Sequence, residues 1–352
     1  MTSDSQTASN KLTANVKSGG CAAKIASAEL KALVAGLSKT HPPELIAGIA
    51  DFDDAAVYKI SDEVAIVQTI DFFPPLIDEP YLFGRIAATN ALSDIYAMGA
   101  RPIFALNVFC FPTCDFPQEV AREILRGGAS QVETAGATIA GGHSIQSSEV
   151  IYGLAVTGLV APSAVLTNGG AKPGDHLILT KPIGTGVALL GHKAGILSGS
   201  ASKVLIDNLT TLNRDALAVA RSFSVHAATD VTGFGLIGHL HEMAHASHLS
   251  FSLKANSVAL LPETLKLAGE GFLPAGAYGN RQSFEGCTVI GDSVDLPMAD
   301  LLFDPQTAGG LLLAVSANDS ARLTQALLAQ GIQASCIGEF SKGKSGSIEV
   351  CP

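Results

Sequence analysis

The stretch from Gln68 to Pro102 constrains this chain more than any other, because it sets polar groups where a buried helix normally carries leucine. It grows out of an apolar run, Val64-Ala65-Ile66-Val67, that turns polar at Thr69 and Asp71, the pattern of a buried strand ending in a carboxylate. A turn bearing Pro74, Pro75 and Pro80 follows. Phe83 to Met98 then reads as a helix, closed by Gly99 and the later Pro102. Small residues fill its middle, and Asn90 and Asp94, four apart, share one face. Polar side chains there need partners. One solution is a divalent cation carrying phosphate oxygens, as magnesium does in nucleotide sites; the other is a capped helix lying on the surface.

The rest of the chain supplies room for such a site. With 352 residues, 47% of them hydrophobic, a real core and two domains are expected. The change of texture over Thr167-Asn168-Gly169-Gly170-Ala171-Lys172-Pro173-Gly174-Asp175 divides the chain into a mobile segment 1–47, a domain 48–165 and an α/β domain 170–352. A net charge of -10 argues against nucleic acid or an anionic membrane as partner, since both favour basic surfaces. Mean hydropathy is +0.33, but no apolar run approaches the roughly 20 residues that span a bilayer. Met1 to Asn15 shows no basic-then-apolar export pattern, so the cytoplasm is expected. The six cysteines include no C-x-x-C pair, which fits reduced thiols.

Several runs invite chemistry. Ser18-Gly19-Gly20-Cys21-Ala22-Ala23-Lys24 is a glycine-hinged loop with a thiol and an amine three residues apart, before a helix from Ser27 to about Leu37. A neighbouring cation favours the thiolate; an inert cysteine in a flexible arm is the alternative. Asp51-Phe52-Asp53-Asp54 precedes Ala55-Ala56-Val57, placing the Asp54 carboxylate at the mouth of a strand. Pro102 to Pro112 reads as a central strand and Pro117 to about Ala135 as a helix. In Ala137 to Ser144 a strand breaks at Gly141-Gly142, where backbone N–H groups can approach a phosphate and His143 and Ser144 add donors. In the second half, Lys181-Pro182-Ile183-Gly184-Thr185-Gly186 lacks the third glycine of a dinucleotide fingerprint, and no Walker A pattern occurs. A helix is expected from about Val204 to Ser222. Asp230 stands before a glycine-rich helix start, either as its anchor or as a ligand reaching across to the first domain. His239, His241, His245 and His248 read as a polar helix face, and Asp304 to Leu313 as a turn feeding a buried strand.

Taken together, the runs Gly20-Cys21 with Lys24, Asp53 to Val57, Asp71-Phe72-Phe73, Phe83 to Asp94, Ala140 to Ser144, Thr229 to Gly238 and Asp304 to Leu313 resemble the selenophosphate synthetase (selenide, water dikinase) family over nearly the whole chain. The resemblance implies the two-domain α/β (α+β) fold of aminoimidazole ribonucleotide synthetase, with a homodimer closing a β-barrel between subunits. It implies ATP and selenide as substrates, with selenophosphate, AMP and orthophosphate as products that feed selenocysteine and selenouridine synthesis. Asp54, Asp94 and Asp230 match the Mg2+ ligands; Lys24, Asp51, Phe52, Asp53, Asp71, Asp94 and Gly142-His143-Ser144 match the nucleotide contacts. Cys21 matches the catalytic cysteine or selenocysteine, and Lys24 the essential lysine after it. A K+ requirement and a selenium-delivery protein are further expectations. One departure stands out: many relatives carry a second cysteine just before the lysine, where this chain has Ala22-Ala23. The rival readings are a related kinase, such as one for thiamine monophosphate, and a nucleotide-binding homologue without catalysis.

Overall fold

The computed structural model describes residues 11–25, 27–37, 42–48 and 53–352. Among them the strands form two sheets. The first takes β1 (Leu45–Ala47), β2 (Ala56–Lys59), β3 (Ala65–Phe73), β4 (Arg101–Phe111), β5 (Thr138–Gln146) and β6 (Ile151–Val160) in the order β1-β2-β3-β6-β4-β5. The second takes β7 (Asp175–Leu179), β8 (Val225–Asp230), β9 (Ser250–Lys254), β10 (Thr288–Ile290), β11 (Leu311–Ser316), β12 (Ser335–Ser341) and β13 (Ile348–Cys351) in the order β10-β13-β9-β12-β7-β11-β8. Both are mixed. In the first, only β4 and β5 run parallel, joined by a helical crossover.

Helix α1 spans Ser27–Val34, α2 Pro80–Ala97 and α3 Gln118–Thr134. Helix α2 starts three residues before the sequence suggested, because Pro80 sits in its first turn and the Glu79 carboxylate accepts from Tyr81 N and Leu82 N. From Phe83 to Ala97 all but Arg85 of its residues are buried, so the surface-helix alternative fails. Small residues let α3 lie against it. A Cβ at Gly127 would stand 1.9 Å from the Tyr81 carbonyl oxygen, and one at Gly84 would stand 2.0 Å from that of Ile124. The substitution Gly127→Ala is therefore expected to destabilise by about 2 kcal/mol, although alanine is the better helix former by about 1 kcal/mol, because backbone cannot yield as a side chain can. A thermal melt that stays level or rises would remove that packing argument.

Helices α4 (Thr185–Lys193), α5 (Gly199–Thr210), α6 (Arg214–Ala220) and α7 (Gly235–Ala246) belong to the second half. The single helix expected from Val204 to Ser222 is two: it stops at Thr211, which turns extended, and restarts after Asn213. One core joins both halves, with Phe83, Ile86 and Leu92 of α2 in the same buried cluster as Leu205, Leu217, Ile178 and Leu311. That continuity fixes the ends of β3 and β8 relative to α2. His239 is part of the interior rather than of a polar face: it is 5% exposed and accepts from Thr232 N at 3.0 Å. The opposite face of the first sheet is bare, with Tyr58, Ile70, Phe72 and Leu106 exposed. No helix among the described residues is long and apolar enough to cross a membrane.

Candidate active site

Strand β3 delivers Thr69 and Asp71, α2 delivers Asn90, Ser93 and Asp94, the residue run before β2 delivers Asp54, and β8 ends at Asp230. The three expected metal ligands face one another, each acting on the charge of another, with Asp94 and Asp230 buried and Asp54 half-buried. The Thr69 hydroxyl donates to Asp94 Oδ2 at 2.5 Å and the Thr229 hydroxyl to Asp54 Oδ1 at 2.8 Å, each fixing one oxygen and leaving the other. Among the described residues neither oxygen of Asp230, nor Asp54 Oδ2, has a hydrogen-bond partner. The Ser93 hydroxyl lies near enough to favour the charged form of Asp230, but not in hydrogen-bonding geometry.

Burial drives the acidity of this group. It raises Asp54 well above the ordinary carboxylate range, with Asp230 and Asp94 pushing the same way. It raises Asp94 likewise, with Asp71 and Asp230 adding to it and Lys24 opposing. Asp230 is lifted to about 6, again by burial first. Carboxylates drawn from both halves of the chain thus repel one another in a dry place and lack enough positive charge of their own.

Over them lies the turn Gly20–Ala23, a short 3-10 helix that needs Gly20 at φ +62 because a Cβ there would meet the Thr307 hydroxyl at 2.6 Å. Cys21 and Lys24 close a ring with residues far away in sequence. The Cys21 thiol donates to Asn90 Oδ1 at 3.2 Å, Asn90 Nδ2 donates to Asp71 Oδ2 at 2.5 Å, and Lys24 Nζ pairs with Asp71 Oδ1 at 3.4 Å. Lys24 N returns to Cys21 O at 3.2 Å. The Ala308 N–H also reaches Asn90 Oδ1, at 2.8 Å, which fixes which end of the amide faces the sulfur. The expected thiolate is not what this arrangement holds. Cys21 is 1% exposed, and burial pushes its thiol up to about 12 against the pull of Lys24. For Lys24 desolvation opposes the charge, but Asp71, with smaller help from Cys21, Asp94 and Asp230, outweighs it and raises the pKa. Its side chain keeps 36% exposure, so it stands at the rim.

The glycine run of the second half is filled from within. Gln306 Oε1 accepts from Gly184 N and Thr185 N, and Asp304 Oδ2 from Gly186 N and Val187 N, so the N-terminus of α4 is occupied by the chain's own side chains. This loop then serves the site: Thr307 Oγ1 accepts from Cys21 N at 3.1 Å. Asn90, Thr307 and Asp304 were not among the expected site residues. Asn90 had a local signal, its place four residues before Asp94; Asp304 and Thr307 stood in a run that carried the resemblance but read only as a turn feeding a strand.

Of the remaining expectations, Asp51 and Phe52 lie outside the described residues. Asp53 accepts from Asn168 N at 2.7 Å, tying the acidic run to the connector between sheets. Gly142, His143 and Ser144 are not gathered with the carboxylates. Strand β5 does not break at the glycines but runs on to Gln146, with Gly141 at φ +150 and Gly142 at φ +151. It is the edge of the first sheet, separated from β3 by β4 and β6. There it lines a cavity of about 640 Å3 with Asn107, Phe109 and Phe111.

Among the described residues no three His, Cys, Asp or Glu side chains stand at the spacing of a closed metal cage. Magnesium does not require one, since it commonly takes one or two carboxylates, keeps water and completes its shell with phosphate oxygens. The unpartnered oxygens of Asp54 and Asp230, buried amid like charge, fit such an ion.

Two family profiles match the chain: AIR synthase related protein, N-terminal domain, over residues 52–160, and AIR synthase related protein, C-terminal domain, over residues 172–351. The fold agrees with solved relatives of that class. Thiamine-monophosphate kinase from Stenotrophomonas maltophilia K279a superposes with a TM-score of 0.66 at 20% identity, covering 93% of this chain and 96% of that one. A structure described as AaThiL complexed with AMPPCP and TMP gives 0.67 at 16% identity, covering 92% and 93%. Closer in sequence are proteins named selenide, water dikinase: that of Pelobacter propionicus is 48% identical, covering 94% of this chain and 95% of the relative, and that of Myxococcus xanthus is 46% identical over 93% of each. The chain belongs to the selenide, water dikinase family.

Proposed function

We propose that the protein makes selenophosphate from selenide, ATP and water, releasing AMP and orthophosphate, with Asp54, Asp94 and Asp230 holding Mg2+ against the phosphates. The observation that carries this reading is the cluster of carboxylates itself, with buried, unpartnered oxygens on Asp54 and Asp230 among the described residues, beside a turn bearing a thiol and an amine. A metal held by these carboxylates would supply neutralisation of the charge that phosphoryl transfer develops. Lys24, released from Asp71, pairs with phosphate oxygens; Cys21 handles or orients the selenium nucleophile; the closed turn keeps out water that would otherwise hydrolyse ATP unproductively. Asp71, with Asp51, Phe52 and Asp53, contacts the nucleotide.

Gly142, His143 and Ser144 enter through a second copy of the chain. They lie on the far edge of their own sheet, and the bare face that carries Ile70, Phe72 and Leu106 is a surface a homodimer covers. Dependence on K+, a selenium-delivery partner and a cytoplasmic location belong to the same reading.

The test is AMP formation from ATP with and without selenide, under anaerobic reducing conditions. AMP that appears only with selenide, together with orthophosphate and selenophosphate, supports the assignment. ADP as the end product, or AMP at the same rate without selenide, overturns it in favour of another kinase of this fold.

A further inference from the structure

Lys181, just after β7, is 6% exposed and no step above uses it. Its ammonium sits in a cage of main-chain oxygens: Nζ donates to Thr211 O at 2.6 Å, Ala308 O at 2.8 Å and Asn208 O at 3.3 Å. Three N–H donors meet three acceptors, the complement of a charged ammonium. Burial draws its pKa down to about 7, and the Asp230 carboxylate opposes that shift. The oxygens belong to the end of α5, to the extended residue that stops it and to the loop before β11, pieces that nothing local would hold together. Backbone packs close on the lysine: a Cβ at Gly310 would come within 2.5 Å of Lys181 N.

Ala308 links this cage to the reactive turn. It takes φ +50, a conformation alanine holds only when its surroundings impose it. The residue is gripped on both sides, the oxygen of the peptide after it by Lys181 and the N–H of the peptide before it by Asn90 Oδ1, the same atom that accepts from the Cys21 thiol. On its other side Lys181 borders a cavity of about 430 Å3, lined also by Asn208, Thr211, Asn213 and Asp215. Two polar atoms of that wall, Asn208 Nδ2 and Asn213 Oδ1, are buried without a partner among the described residues.

We propose that Lys181 is a positioning residue for Cys21: a built-in cation whose carbonyl cage fixes the Ala308 peptide and, through Asn90, the sulfur, and whose place a small ammonium ion can take from the adjoining cavity once the side chain is removed. The activity part of this claim rests on Cys21 being the reactive thiol. The part read from Cys21 accessibility does not.

Lys181→Ala opens the cage to the cavity, whereas Lys181→Met fills it without charge. In both, peptide-resolved labelling of Cys21 by iodoacetamide in nucleotide-free protein is expected to speed up about tenfold, because the acceptor loses its anchor. Selenide-dependent AMP formation should fall roughly 30-fold in kcat, with KM for ATP changed less than about threefold. Methylammonium chloride is expected to reverse both effects about tenfold in Lys181→Ala while leaving Lys181→Met and the unmodified protein unmoved; tetramethylammonium chloride at equal ionic strength, having no N–H, should do nothing. Cys21 labelling at the unmodified rate in either variant, or equal rescue by the two salts, overturns the proposal. If Lys181→Ala does not fold, labelling and kcat in Lys181→Met decide it. If Cys21→Ser proves fully active, the proposed function fails while the labelling result still judges the cage.

Discussion

Cys21→Ser is expected to lower selenide-dependent AMP formation by on the order of 10³-fold or more, while Mg–ATP binding stays within about threefold. The asymmetry follows from where the sulfur lies. The Cys21 thiol touches Asn90, whereas the proposed metal ligands lie on other elements and, of the proposed nucleotide contacts, only Lys24 follows the same turn. Serine keeps a hydrogen-bond donor for Asn90, so the ring through Asp71 and Lys24 survives and the fold is unaffected. What is lost is a polarizable nucleophilic atom matched to selenium chemistry. Calorimetric titration with a non-hydrolysable ATP analogue reads one arm, and anaerobic AMP assay the other. A serine variant that makes selenophosphate at the normal rate would remove Cys21 from the reaction. No second cysteine stands beside it, since positions 22 and 23 are alanine, so a disulfide within that turn cannot explain residual activity.

The second large effect has two signs. Asp230→Asn is expected to weaken Mg–ATP binding by on the order of 10²-fold, through loss of a ligand charge. The same change should stabilise the nucleotide-free protein. The folded carboxyl is raised from 3.8 to about 6, so the folded state prefers the proton; the stabilisation this gives is present below about pH 4 and lost as pH rises through about 6. That loss is on the order of 3 kcal/mol and is shared with the neighbouring carboxylates, which repel the same charge. Asparagine escapes it. Melts in EDTA at pH 8 should therefore favour Asp230→Asn, and the advantage should vanish near pH 4. Unchanged Mg–ATP affinity, or a melt at pH 8 below that of the unmodified protein, contradicts the assignment of Asp230 to the cation site. This is the usual tension between a site built for a ligand and the stability of the empty fold.

The parts of this site written locally were readable from the residues. Helix α2 announces its polar stripe because Asn90 and Asp94 stand amid small residues at helical spacing, Asp71 announces itself after an apolar strand run, and Asp230 by standing before a glycine-rich helix start. What stayed hidden depends on partners distant in the chain. Nothing in Lys181-Pro182-Ile183-Gly184 tells that Gln306 and Asp304 will fill the helix start, since those hydrogen bonds join residues more than a hundred positions apart. The break between α5 and α6 carries neither proline nor glycine. It exists because Thr211 gives its carbonyl to Lys181 and Asn213 gives its amide to Ser93 Oγ and Gly309 O. At Gly141-Gly142 the error ran the other way: glycine usually interrupts a strand, and here it lets an edge strand pass through dihedral angles other residues avoid.

The ring that encloses the Cys21 sulfur has a bearing on durability. A thiol that is 1% exposed, protonated and donating to an amide is a poor target for peroxide or for adventitious metals, both of which act on accessible thiolate. On the proposed mechanism the most perishable atom stays stoppered between turnovers, and exposure to oxidants is confined to the interval in which Lys24 leaves Asp71. Damage should accordingly accumulate with the number of cycles completed rather than with time spent idle.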